Sequence, residues 1–287
     1  MVRLFGYIGE NPVKISYSIS SSEIITEEVE TLDKQMKVES DGWGIGFYQG
    51  KASFILKKAV SVLKDERFRN ITEAVSSKVI IAHVRKATVG EVKEANTHPF
   101  RYGVWLFAHQ GTISDFRKIK PRIKKSLPVS HRKKIKGTTD SEYSFFLFLH
   151  NLRRAGSIIK GNIPLRKAEN ALKKTIKSIL EYNRTLKSET GSTLNFLITN
   201  GRYLLASKVG IPLYYISRNE VIPKKIEQIS DETLLKIKLE PLQGGGKSVI
   251  IASEKITDEE GWKEPDDFSV ISVDENFKIN ILPLDIQ

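Results

Sequence analysis

The chain has 287 residues, 40% of them hydrophobic and 28% charged, which is enough apolar material for a buried core and argues against global disorder. Cysteine is absent, which excludes disulfide scaffolds, cysteine-bearing zinc sites, redox thiols and every cysteine nucleophile. The net charge is +12, and the excess is local: residues 117–187 hold 20 Lys and Arg against Asp140, Glu142, Glu169 and Glu181. Residues 117–136 are the densest part, with ten basic residues and no acid. Two readings of that run stand open: a solvated surface, or a patch that attracts an acidic protein or a nucleic acid. It contains no Phe, Tyr or Trp, which argues against stacking on single-stranded bases. No apolar run is long enough to span a membrane, and the first residues do not read as a signal peptide. The expectation is a soluble, cytoplasmic protein without membrane contact.

Taken in chain order, residues 4–8 read as a first strand and residues 23–37 as a polar, amphipathic helix. Strand-like runs follow at 44–48, 79–84 and 104–108. Residues 141–152 form a helix so apolar that it must be buried on most sides, with Thr139, Asp140 and Ser141 all suited to cap it. Residues 167–186 place Ala168, Ala171, Leu172, Thr175, Ile176, Ile179 and Leu180 on one helical face. Further strands are expected at 194–198, 203–207, 213–216, 248–252, 269–273 and 278–282. No repeat and no Gly/Ser/Pro linker divides the chain, so one domain over 1–287 is expected, with a basic insertion at about 117–136. Many strands with few helices predict an α+β fold of packed sheets with helices outside.

Motifs for metals and phosphate loops fail. There is no zinc spacing and no HExxH, and the Gly244–Ser248 run lacks the earlier glycine that a phosphate loop needs, since position 241 is Pro241. Four polar, glycine-bearing islands instead sit beside strand-like runs. They are Ser40-Asp41-Gly42-Trp43-Gly44-Ile45-Gly46, His83-Val84-Arg85-Lys86-Ala87-Thr88-Val89-Gly90, Ala108-His109-Gln110-Gly111-Thr112-Ile113 and Gly137-Thr138-Thr139-Asp140-Ser141-Glu142. Asn96-Thr97-His98-Pro99-Phe100 lies between the second and third. Loops next to buried strands are well placed to hold a small ligand. An arginine grips a carboxylate, an aspartate pairs with an ammonium, and a glycine N–H can face an oxyanion. Arg85, Asp140 and Gly111 together suit an α-amino acid. Trp43 and its glycines are expected to shape a tight turn, and His109 to be a satisfied core histidine.

In these islands the chain resembles the class-II glutamine amidotransferases, a family of N-terminal-nucleophile hydrolases, and is most like their compact stand-alone members. Arg3–Gly9, Leu194–Leu197 and Ala252–Thr257 add to the match, which runs in family order over nearly the whole chain. The resemblance implies a four-layer α-β-β-α sandwich and no cofactor. It also implies that Arg85 holds the substrate α-carboxylate, that Asp140 holds its α-amino group, that Gly111 supplies an oxyanion N–H, and that Thr88 and His98 line the pocket. Such enzymes lose the initiator methionine and attack the glutamine amide with a cysteine at position 2. Here that position is Val2, and the family's oxyanion asparagine is Gln110. The leading expectation is a natural pseudoenzyme that keeps a clamp for glutamine or a γ-glutamyl ligand. The alternatives are an active amidohydrolase of atypical mechanism, with water activated by the Val2 amine, and a scaffold that uses the basic 117–187 region.

Overall fold

The structure, a computed structural model, describes residues 4–19, 40–62, 64, 65, 68, 70, 71, 74–153, 156–219, 235–241, 246–257 and 259–285. Val2 and the helix expected over 23–37 lie outside these residues. The strands in chain order begin with β1 (Leu4–Ile19), β2 (Gly42–Gln49), β3 (Ala52–Lys58), β4 (Ser76–Arg85), β5 (Phe100–Tyr102) and β6 (Trp105–Thr112). They continue with β7 (Thr193–Thr199), β8 (Leu204–Lys208), β9 (Tyr214–Arg218), β10 (Leu235–Pro241), β11 (Ser248–Ala252), β12 (Ser269–Val273) and β13 (Ile279–Pro283). Between β6 and β7 come α1 (Phe116–Ser126), α2 (Val129–Arg132), α3 (Asp140–Leu152) and α4 (Leu165–Leu186).

The strands form two antiparallel sheets. One has the order β3-β2-β4-β1-β11-β9, with β10 also paired to β1, and the other the order β13-β12-β8-β7-β6-β5. Period-2 alternation sorts each strand's side chains into layers. Leu4 and Ile8 of β1 and Val79 and Ile81 of β4 meet Leu106, Leu197 and Leu204 between the sheets. Phe5, Tyr7, Ile80 and Val84 turn outward and are covered by Val62, Phe68, Ile256 and Trp262. The outer face of the second sheet carries Trp105, Phe107 and Phe196, packed under α1, α3 and α4. Phe107 stacks on Phe145 at 5.1 Å between ring centroids and lies 5.2 Å from Phe196.

The apolar run of α3 is explained by its place. Phe145, Phe148, Leu149 and Leu152 are completely buried, because α3 lies between the sheet and its helix neighbours. Thr139 is the N-cap, its hydroxyl accepting the Glu142 N–H at 3.3 Å, and Asp140 is the first helical residue. In the basic run, α1 buries Phe116, Ile119 and Ile123 and turns Arg117, Lys118, Arg122, Lys124 and Lys125 to solvent.

One local expectation needs correction. Trp43, Gly44 and Gly46 do not make a turn; they lie within β2, and Trp43 is buried, with its indole N–H donating to Asp65 at 3.1 Å. Glycine is needed there for close approach, since a Cβ on Gly44 would stand 2.1 Å from the carbonyl oxygen of His98.

Candidate active-site cavity

A cavity of about 300 Å³ lies where the ends of β4 and β6 meet the start of α3. Its wall brings together Arg85, Thr88, His98, Gln110, Gly111 and Asp140, along with His83, His109, Thr112, Ser141 and Thr193. Leu4, where the described part of β1 begins, pairs with the wall residue His83. Through Thr88 and Val89 the cavity adjoins a second one of about 340 Å³, walled by Ile113, Asp115, Phe116, Arg117 and Lys118.

Arg85 closes β4 and is buried. Its guanidinium donates from Nη1 to Asp41 at 2.8 Å and from Nη2 to the carbonyl oxygens of Val89, at 3.2 Å, and Gly90, at 3.4 Å. The other oxygen of Asp41 accepts the Ala87 N–H, at 2.5 Å. The ion pair therefore ties the 86–91 loop to the start of β2. Arg85 thus has the structural partner that a buried arginine requires, while it remains in the wall of the cavity.

Asp140 is also buried and also braced. Its Oδ2 accepts the Ile113 N–H at 2.8 Å, and its Oδ1 accepts the Ser141 N–H at 2.9 Å. A carboxylate has room for about four hydrogen bonds, so two backbone donors leave capacity for an ammonium. The position at the first turn of α3 suits a negative charge.

His109 has both ring nitrogens engaged. Nε2 lies 3.1 Å from the Thr193 carbonyl, which can only accept, so Nε2 carries the proton. Nδ1 is then the acceptor for the Ser141 hydroxyl at 3.0 Å. His98 differs: neither ring nitrogen has a hydrogen-bond partner among the described residues, and the same holds for the buried Oε1 of Gln110. The His98 ring lies 4.2 Å from that of His83. Burial, reinforced by the neighbouring His83, pushes His98 well below the ordinary histidine range, and burial also lowers His109.

These shifts fix a sign. Both histidines bind protons more readily unfolded than folded, so their contribution is full above the unfolded value of about 6.5 and is lost as pH falls below it. The unfolding free energy from urea titrations between pH 7.5 and 5 is expected to drop below about pH 6.5, by up to about 1.4 kcal/mol per pH unit for each histidine. A flat profile down to pH 5 would contradict their neutral burial.

Gly111 is fixed by geometry. Its φ is 141°, and a Cβ would stand 2.1 Å from the Thr193 carbonyl oxygen. Gly111→Ala is expected to cost at least about 3 kcal/mol in chemical denaturation. A loss under 1 kcal/mol would mean that β7 can yield there.

Residues 1–274 match the family model described as glutamine amidotransferases class-II. The chain belongs to this family. It is 28% identical over 229 residues to "Probable glutamine amidotransferase DUG3" of Saccharomyces cerevisiae, a match that takes in 72% of this chain and 63% of the yeast protein. The chain thus spans less than two thirds of that relative's length. A stretch of 77 residues, 26% of this chain and 33% of the relative, is 38% identical to a γ-glutamyl-hercynylcysteine sulfoxide hydrolase of Mycobacterium tuberculosis. Among solved structures, a predicted glutamine amidotransferase from Pseudomonas aeruginosa superposes with a TM-score of 0.65 at 23% identity, covering 96% of this chain and 98% of that one. The glutamine phosphoribosylpyrophosphate amidotransferase of Bacillus subtilis gives 0.56 at 14% identity, covering 99% of this chain and 49% of that one. These two likenesses concern the fold, an α-β-β-α sandwich.

The sequence reading did not find Asp41 as the partner of Arg85, nor Thr193, which accepts from His109 and whose hydroxyl accepts the Thr112 N–H at 2.9 Å. Asn96 opens the Asn96–Phe100 motif. It is fully buried and clasps the 86–97 loop to the start of α3, donating to the Glu91 carbonyl and accepting the Thr138 N–H. The sequence signal for it is an asparagine opening the run Asn96-Thr97-His98-Pro99.

Proposed function

We propose that this protein holds glutamine, or a larger γ-glutamyl compound, in the 300 Å³ cavity and does not cleave it through a thiol acyl-enzyme. The observation that carries the reading is the composition of the wall. A buried cation, Arg85, and a buried anion, Asp140, share one small cavity with the unpartnered polar atoms of His98 and Gln110. Unsatisfied buried polar atoms cost about 1–3 kcal/mol each unless something pairs with them, and an amino acid with a side-chain amide brings both donors and acceptors. The adjoining 340 Å³ cavity gives room for an amine portion larger than ammonia, with Arg117 and Lys118 at its wall. The γ-glutamyl substrate in the name of the Mycobacterium tuberculosis relative supports the same class of ligand.

In this reading Val2 takes the nucleophile's position and has no lone pair to attack with, and the chain offers no cysteine elsewhere. Gln110 keeps a side-chain amide at the oxyanion position, displaced by one methylene. Calorimetry with glutamine, glutamate and a γ-glutamyl dipeptide tests the proposal, with ammonia release followed in parallel. Saturable binding without ammonia release is expected. Failure of all three compounds to bind would overturn the clamp, and sustained ammonia release would overturn the loss of hydrolysis.

A further inference from the structure

On the other side of the α3 start lies a larger cavity, of about 660 Å³, which shares no wall residue with the one just described. Four cationic side chains border it: Lys57, Arg101, Lys134 and Lys136. None of them forms an ion pair with a carboxylate of the described residues. Arg101 donates from Nη1 to the Ser53 carbonyl at 2.7 Å, and the Lys57 ammonium donates to the Thr97 carbonyl at 2.6 Å. One such bond leaves an ammonium with two further donors.

Lys57 is the least ordinary of the four. It is half-buried, and its Nζ lies 5.1 Å from the centre of the Phe100 ring. Burial lowers it to about 8, despite the opposing pull of Glu94 and Glu142. The two carboxylates at the wall are unequal. Glu142 is buried and already accepts the N–H groups of Lys136, at 2.9 Å, and Gly137, at 2.6 Å. Glu94 is exposed. Phe100, Tyr102 and Phe146 give the same cavity an aromatic side.

We propose that this cavity is a second binding site, for a small organic phosphate whose phosphate lies among Lys57, Lys134 and Lys136 and whose body lies against Phe100, Tyr102 and Phe146. An excess of cations over an aromatic wall suits a dianion carried on an apolar or ring-bearing body, and the volume exceeds what bare phosphate fills. Binding would supply the counter-charge that two carboxylates, Glu94 and Glu142, leave unmet for four cations, and a dianion holds a half-buried ammonium in its charged form.

Calorimetry at low ionic strength with two probes, pyrophosphate and ADP, tests the site on the full chain. One saturable site is expected for ADP, with pyrophosphate weaker. The exposed pair Lys134→Glu/Lys136→Glu should weaken ADP at least tenfold, and Lys57→Met should do the same. The matched control Lys124→Glu/Lys125→Glu, on the solvent face of α1, should leave it within about twofold. Three results would overturn the proposal: no binding of either probe, equal loss in both double variants, or no loss in Lys134→Glu/Lys136→Glu. Because Lys134 and Lys136 are exposed, their replacement leaves the core intact. Glutamine binding is read separately, so failure here leaves the first cavity untouched.

Discussion

Val2→Cys combined with Gln110→Asn is expected to give this chain measurable ammonia release from glutamine. Loss of a catalytic nucleophile costs on the order of 10⁶-fold where it has been measured, so restoring the thiol is the larger of the two changes. A free α-amino group beside it can serve as its base once the initiator methionine is removed. The second change concerns the oxyanion. Gln110 pairs across the sheet with Asn195, and in the proposed reading Gln110→Asn returns the side-chain amide to the length of the family's oxyanion asparagine. Misplacing one donor by about an ångström costs on the order of 10²-fold, so Val2→Cys alone should run about that far below the double variant. Because the parent chain has no cysteine, a glutamyl adduct on the new thiol can be assigned without ambiguity by intact-mass analysis. If the double variant, with Met1 shown to be removed, forms no adduct and releases no ammonia, Val2 does not occupy the nucleophile's position.

Asp140→Asn should damage the fold and the ligand site together. The carboxylate accepts two backbone N–H groups in a buried place, one from Ile113 and one from Ser141. An amide can satisfy only one of them and turns its own NH₂ toward the other, so a donor meets a donor. The expected cost is about 3 kcal/mol in urea unfolding, with part of it due to losing an anion at the first turn of α3. For the ligand, removing the buried carboxylate that pairs with its ammonium should cost about 2 kcal/mol or more, which is roughly 30-fold in affinity for glutamine. Unchanged glutamine binding by a folded Asp140→Asn protein would remove Asp140 from the clamp.

Much of the architecture could be read from residue patterns. The strands expected at 248–252 and 269–273 are found with those bounds, and the helices at 141–152 and 167–186 differ from α3 and α4 by only one or two residues at the start. Apolar alternation and i, i+3, i+4 spacing are strong signals where one face is buried. They weaken in β3, where lysines and a serine interrupt the pattern, and in β5, which has three residues. Helix α1 went unread because Pro121 and its lysines look like a breaker in a loop, although Phe116, Ile119 and Ile123 mark a buried stripe. Among the candidate residues, those described meet at one cavity, and their motif order pointed to that. What each one touches could not be read. The Asp41–Arg85 pair depends on β2 lying beside β4 with Gly42 opposite Arg85, and strand register is not visible in a single sequence.

The first strand is held at its beginning by one of the last loops. Leu4 donates its N–H to the Ser253 hydroxyl at 3.3 Å and accepts from the Ser253 N–H, across 249 residues of chain. Between these ends, β1 takes a central place in its sheet, with β4 on one side and β11 on the other. Closing so long a loop is slow, and it brings no gain until β11 has been made. During synthesis β5, β6, β7 and β8 of the second sheet can gather α1, α3 and α4 before β11 is made, through contacts nearer in sequence. The latch between Leu4 and Ser253, at the end of β1 that pairs with His83, must wait until residue 253 has left the ribosome. A nascent chain stopped between β9 and β11 would therefore leave open the edge of β1 that β11 later covers, and it is at this stage that the protein would most need a chaperone.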